Sequence, residues 1–158
     1  MDLERIACRD DDERYMLEAL RQAAVGSARG EVPVGAVIVK DGEIIARAHN
    51  CIETDKRSSA HAEMIAIEEA EKSLSAKWLT ECTMYVTLEP CSMCAGALVL
   101  SRIERLVIGT NDPKTGACGS LFSIATDERL NHRIEIRRGV LRDECSAVLK
   151  EFFRERRG

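Results

Sequence analysis

Apolar positions along this chain keep two rhythms. VPVGAVIV, residues 32–39, is nearly all apolar and β-branched, the pattern of a strand buried on both faces. Lys40-Asp41-Gly42-Glu43 follows with the Asp-Gly signal of a hairpin turn, and IIARAHN (44–50) is the returning strand. TMYVTL (83–88) alternates as a strand. RLVIGT (105–110) and RIEIRR (133–138) are two more, with Ile134 and Ile136 on one face of the last. Helical spacing fills the intervals. Residues 11–29 start acidic, carry Met16, Leu20, Ala23 and Ala24 on one face, and meet a stop at Gly30. HAEMIAIEEAEKSLS (61–75) reads as a helix, and 91–101, mostly small and apolar, reads as a buried one. A short helix is expected near 121–129. Asp143 is placed to cap a final helix striped by Cys145, Val148, Leu149 and Phe152.

Strands alternating with helices imply βαβ crossovers and a mostly parallel sheet, with one antiparallel strand from the first hairpin. The expected fold is α/β: a three-layer α/β/α sandwich with a five-stranded mixed sheet flanked by helices. The 158 residues show no repeat and no low-complexity linker, so one domain spanning 1–158 is the simplest organisation.

Composition narrows the setting. No stretch approaches the roughly 20 apolar residues of a membrane span, so no membrane partner is expected. The start, MDLERIACRDDDER, is acidic and has no apolar core of a secretory signal. Seven cysteines, an odd number, fit free or metal-bound thiols in a reducing compartment, which places the protein in the cytoplasm. A net charge of −4 argues against a broad nucleic-acid surface but leaves room for a local basic cluster, as in FFRERR (152–157).

The chemistry gathers at two helix starts. In LEPCSMCAG (88–96) the pair Cys91 and Cys94 lies three residues apart, so both face one way at a helix N-terminus. Pro90 suits a first-turn position, and the helix dipole favours thiolates there. Alone, such a pair is open to three readings: a redox dithiol, half of a structural zinc site, or part of a catalytic metal site. His61 at the other helix start brings the donor count to three. Three donors leave the open fourth position that distinguishes catalytic from structural zinc. Glu63, two residues on, then gains a chemical role, because a carboxylate beside a metal-activated water takes its proton and passes it on. Both motifs fall at the C-terminal ends of strands, where open α/β sheets place their sites.

HAE (61–63) followed by PCSMC (90–94) resembles the zinc-dependent nucleoside deaminase superfamily, whose signature this is. EVPVGAVIV, AHN, TLEPCSMCAGAL, SRI, DPKTGACGSL, NHRIEI and GVLRDECSAVLKEFFRERR extend the likeness from about residue 13 to 157. They resemble the bacterial tRNA-specific adenosine deaminases in particular. The resemblance implies a cytidine deaminase-like fold and hydrolytic conversion of the wobble adenosine of an arginine tRNA anticodon to inosine. It implies one Zn²⁺ per subunit on His61, Cys91 and Cys94, with Glu63 as proton shuttle. It implies that Asn50 hydrogen-bonds the flipped nucleoside and that Val34 and Leu88 wall the base pocket. It also implies that Asp112 and Lys114 approach the ribose and phosphate of the anticodon loop. Phe153, off the apolar stripe beside Arg154, Arg156 and Arg157, suits stacking on splayed bases. A homodimer and a tRNA anticodon stem-loop as partner follow from the same resemblance, with no DNA expected.

Three rivals stay open: a deaminase of free bases or nucleosides such as guanine or cytidine, a non-catalytic zinc-bearing RNA-binding subunit, and a redox dithiol protein. Cys8, Cys51, Cys82, Cys118 and Cys145 receive no role, although Cys51 adjoins Asn50.

Overall fold

The structure is a computed structural model and describes residues 2–157; Met1 and Gly158, the ends of the expected domain, lie outside the described residues. Helix α1 is Asp11–Ala28, followed by strand β1, Gly35–Lys40, and β2, Glu43–His49. A short helix α2, Ile52–Asp55, and α3, Ala62–Leu74, lead to β3, Cys82–Leu88. Then come α4, Ser92–Leu100, β4, Arg105–Thr110, a single 3-10 turn at Ile124–Thr126, β5, Glu135–Arg138, and α5, Arg142–Arg157.

The strands form one sheet in the order β2-β1-β3-β4-β5. β1 pairs antiparallel with both β2 and β3, while β3, β4 and β5 pair in parallel. β2 therefore runs the same way as β3, and β1 is the one reversed strand, lodged inside the sheet rather than at its edge. The hairpin turn is of the primed type: Asp41 and Gly42 both take positive φ, 52° and 77°, as the strand twist requires.

Alternation along the strands feeds two cores. Ala36, Ile38, Met84, Val86, Leu106 and Ile108 face α3 and α4. Val37, Val39, Tyr85 and Val107 face α1 and α5. That is the three-layer sandwich expected from the pattern. β1 is buried on both faces, so it shows no polar alternation. Gly35 lets α1 lie directly on β1, because a Cβ there would collide with the Ala19 carbonyl.

Four details depart from the sequence reading. β1 starts at Gly35, since residues 32–34 form the loop that enters the site. Ala24 is exposed, beside a groove between α1 and α5, rather than on the buried face. α4 is buried on one side only; Met93 and Leu100 on its other side are 38% and 78% exposed. Asp143 lies in the first turn of α5 rather than at its cap, where its charge still faces the positive helix end. Among the described residues, no helix is long and apolar enough to cross a membrane.

Candidate metal centre and pocket

The C-terminal ends of β2, β3 and β4 lie on one edge of the sheet, and each delivers part of the site. β2 ends at His49 and hands on Asn50; β3 ends at Leu88 and hands on Glu89, Pro90 and Cys91; β4 leads to Asp112.

His61 is the N-cap of α3 and Cys91 the N-cap of α4. Both take extended backbone, with φ/ψ of −76°/148° and −74°/179°, so their side chains swing away from the helical faces and toward each other. The Nδ1 of His61 lies 3.7 Å from Cys91 Sγ and 3.5 Å from Cys94 Sγ. All three donor atoms fall within 4.8 Å of one another, and among the described residues no fourth His, Cys, Asp or Glu joins this group. Zinc–sulfur bonds of ~2.3 Å and zinc–nitrogen bonds of ~2.0–2.1 Å at a tetrahedral angle place N and S about 3.6 Å apart. The donor set and its spacing fit a tetrahedral zinc with one position left open.

The electrostatics agree. The Cys91 thiol is pulled down to about 5, chiefly by its hydrogen bond with Cys94, against a cost of burial and with help from the Met93 and Cys94 amides at the helix start. Cys94 is pushed up as its partner in that pair, by the same hydrogen bond and by burial.

Glu63 is 4% exposed, in the first turn of α3, and lines the pocket beside His61 and Cys91. Burial pushes its carboxyl up to about 7, opposed by its own backbone amide and by His61. It faces the cluster without belonging to it, in hydrogen-bond contact with Cys94 and with its own backbone amide.

The cavity above these groups has a volume of about 230 Å³ and is lined by Val32, Val34, Asn50, Ile52, Leu88, Glu89, Asp112 and Thr115 together with His61, Glu63 and Cys91. That is below the ~300–1,000 Å³ of drug-sized sites and suits one heterocycle with the rest of its chain outside. A larger cavity of about 410 Å³ lies between residues 6–13 and the start of α5. It shares no residue with the donor cluster, so size is a poor guide to the chemistry here.

Of the residues expected at the site, Val34, Asn50, Leu88 and Asp112 line the cavity. Asn50 is already engaged: its Oδ1 accepts from the Ala62 amide at 2.8 Å, holding the turn that carries His61, and its Nδ2 donates to Val32 O at 3.4 Å. The Asp112 carboxylate accepts from the amides of Lys114 and Thr115 and from the Thr115 hydroxyl, closing its own turn. Lys114, Phe153 and Arg156 lie outside the cavity wall. Phe153 is 43% exposed while Phe152 is buried. The Arg156 guanidinium stacks over the Phe152 ring at 4.3 Å and lies 3.7 Å from the Cβ position of Gly30. The basic end of α5 thus sits beside the turn that leads to Val32 and the cavity. Cys51 points instead to His49, with sulfur 3.7 Å from Nδ1.

Sequence reasoning missed two buried carboxylates that hold segments of the cavity wall. Glu31 accepts from the Glu53 and Thr54 amides and the Thr54 hydroxyl, fixing α2 and with it Ile52. Glu89 binds the loop after β4 in the same manner. Their partners lie 22 to 31 residues away in sequence, beyond any local pattern. The one local hint is a charged residue set between a buried strand and Pro90.

The model of the MafB19-like deaminase family matches residues 10–157. A tRNA-specific adenosine deaminase of Bacillus subtilis is 56% identical over 92% of this chain and 91% of its own length. One from Aquifex aeolicus is 50% identical over 92% and 95%. The chain belongs to the tRNA-specific adenosine deaminase family. It is accordingly a hydrolytic deaminase. Among solved structures, one from a study of A-to-I editing by tRNA:A34 deaminases superposes with a TM-score of 0.83 at 38% identity, over 86% of this chain and 99% of that one. The guanine deaminase of Nitrosomonas europaea shares the fold, with a TM-score of 0.78 at 24% identity over 94% and 86%.

Proposed function

We propose that this deaminase converts adenosine to inosine at the wobble position of an arginine tRNA anticodon, with one zinc per subunit on His61, Cys91 and Cys94. The observation that carries the reading is Glu63: a buried carboxylate facing a three-donor cluster without being one of its members. When bound, the zinc supplies Lewis acidity that lowers the pKa of water from about 15.7 toward 7.

The chain's own groups do the rest. Glu63 takes a proton from the attacking water and delivers it to the purine ring; it then passes the second water proton to the departing amine, so water plus adenosine gives inosine plus ammonia. A carboxyl held near neutrality suits both giving and taking a proton. Val34 and Leu88 wall the base, and Asn50 orients the nucleoside from the strand end. Asp112 and Lys114 border the ribose and phosphate. Phe153 and Arg156 meet bases and phosphates outside the cavity, which is too small for more than one base. The identity to tRNA-specific relatives along nearly the whole chain supports this substrate over a free nucleoside.

A second copy of the chain completes the picture. Met93 and Leu100 on α4, with Leu121 and Phe122 in the loop after β4, are exposed apolar residues, and α4 also holds Cys94. A homodimer through this face would cover them and brace the metal centre. The tRNA substrate and seven unpaired cysteines support a cytoplasmic setting.

The test is an anticodon stem-loop bearing the wobble adenosine, offered beside free adenosine, cytidine and guanine. Inosine is expected in the stem-loop alone. Turnover confined to the free compounds overturns the reading.

A further inference from the structure

Glu89 lines the cavity, and its side chain is 0% exposed. A carboxylate offers about four acceptor sites. Here all are taken by one loop. Oε1 accepts from the Asp112 amide at 3.1 Å and from the Ser120 hydroxyl. Oε2 accepts from the amides of Cys118 and Ser120, each at 3.0 Å. The loop is shaped for this grip: a Cβ on Gly116 would stand 2.5 Å from both the Glu89 carboxyl and the Asp112 carbonyl. Arg138 closes the outer side, 3.7 Å from Glu89 Oε1, while donating to Asn111 Oδ1 at 2.9 Å. Its guanidinium lies where a Gly119 Cβ would be.

We propose that Glu89 is a positioning residue for the substrate: by gripping the 111–120 loop from inside it sets one rim of the cavity, with Asp112 and Thr115, before RNA arrives. It does not move protons, because its acceptor sites are already filled by N–H and O–H donors of the loop. Proton transfer is left to Glu63, which the loop does not touch. The rim therefore governs how the stem-loop is held rather than how fast the amine leaves. This proposal rests on the reading of the cavity as the wobble-adenosine site.

The experiment uses Glu89→Gln, which keeps the shape but turns an amide NH₂ toward the loop's donors. Its KM for the anticodon stem-loop is expected to rise about tenfold or more, with kcat within about threefold of wild type. Zinc per subunit should be unchanged, and the Cys118 and Ser120 amides should exchange faster with solvent. An unchanged KM, a fall confined to kcat, or loss of the metal overturns the proposal. Ser120→Ala removes only one hydroxyl bond and carries the same test, with a smaller rise in KM, if Glu89→Gln does not fold; an unchanged KM there also counts against it. The exchange measurement needs no substrate. If the wild-type enzyme ignores the stem-loop, the substrate reading fails, whereas unchanged exchange in the variants refutes the grip itself.

Discussion

Glu63 and His61 are two residues apart, a spacing that on a regular helix would send them to different sides. They meet because His61 is the N-cap, in extended backbone, while Glu63 is inside the first turn. On the proposed mechanism, that division separates ligand from proton carrier. Removing the carboxylate should stop proton transfer and leave the donors in place. Glu63→Ala is expected to lower kcat by about 10²–10⁴-fold or more, with zinc content and stem-loop affinity retained. Metal lost together with activity would show that Glu63 serves the cluster and not the proton. Asn50 has a comparable double position. Its carbonyl oxygen holds the Ala62 amide while its NH₂ group donates to the Val32 carbonyl, so it braces both the turn that carries His61 and the cavity wall.

At the scale of elements, the helix starts do most of the arranging. α3 and α4 point their N-termini at one spot, and the amides of α4 help hold Cys91 in its thiolate form. α5 contributes differently. Cys145 anchors it on the sheet and Phe152 is buried beside the end of α1, while Phe153, Arg154 and Arg157 stay exposed. Arg156 stacks on Phe152, a contact worth about 0.5–1 kcal/mol at such sites. Arg156→Ala should therefore barely move the thermal midpoint. It should weaken stem-loop binding and reduce the salt dependence of the binding constant by about one phosphate contact. Equal affinity for variant and wild type at both low and moderate salt would remove α5 from the RNA surface. The exposed side of α4 escaped the pattern because its residues are apolar all round. Burial on one face and burial on two look alike in such a segment.

Across the whole molecule, one carboxylate ties the outer helix to three strands. Asp12 in α1 takes a two-pronged bond from Arg105 at 2.8 and 2.7 Å, a third from Arg137 at 2.6 Å, and the Tyr85 hydroxyl at 2.7 Å. The Arg105 guanidinium, aided by Tyr85 and Arg137, holds its carboxyl well below the ordinary value of 3.8 despite burial. A depressed carboxyl stabilises the fold above its unfolded pKa, and the gain is lost as pH falls toward the folded one. The arginines are partly exposed, 27% and 44% at the side chain, so screening trims the effect. Asp12→Asn is expected to cost about 1–3 kcal/mol at neutral pH. Denaturant melts should show that gap closing below about pH 4. A gap that stays constant down to pH 2 would mean the network contributes through packing and not charge.

What the chain determined by itself was local. Period-two and helical spacing marked the strands and the main helices, the Asp41-Gly42 pair marked the turn, and HAE with PCSMC marked the chemistry. Each of these depends on neighbours within a few residues, where backbone geometry translates spacing directly into direction. Tertiary structure decided the rest, because the deciding contacts join residues far apart. β1 pairs with β3 across 40 or more residues of chain. Asp12 reaches Arg105 and Arg137 across 93 and 125. Glu89 gathers a loop up to 31 residues on, around a Gly116 whose need for close approach appears only in three dimensions. The three-donor cluster was legible because helix starts carry a signature. The rim that shapes the cavity was not, because a buried carboxylate looks like any other glutamate until its partners are folded around it.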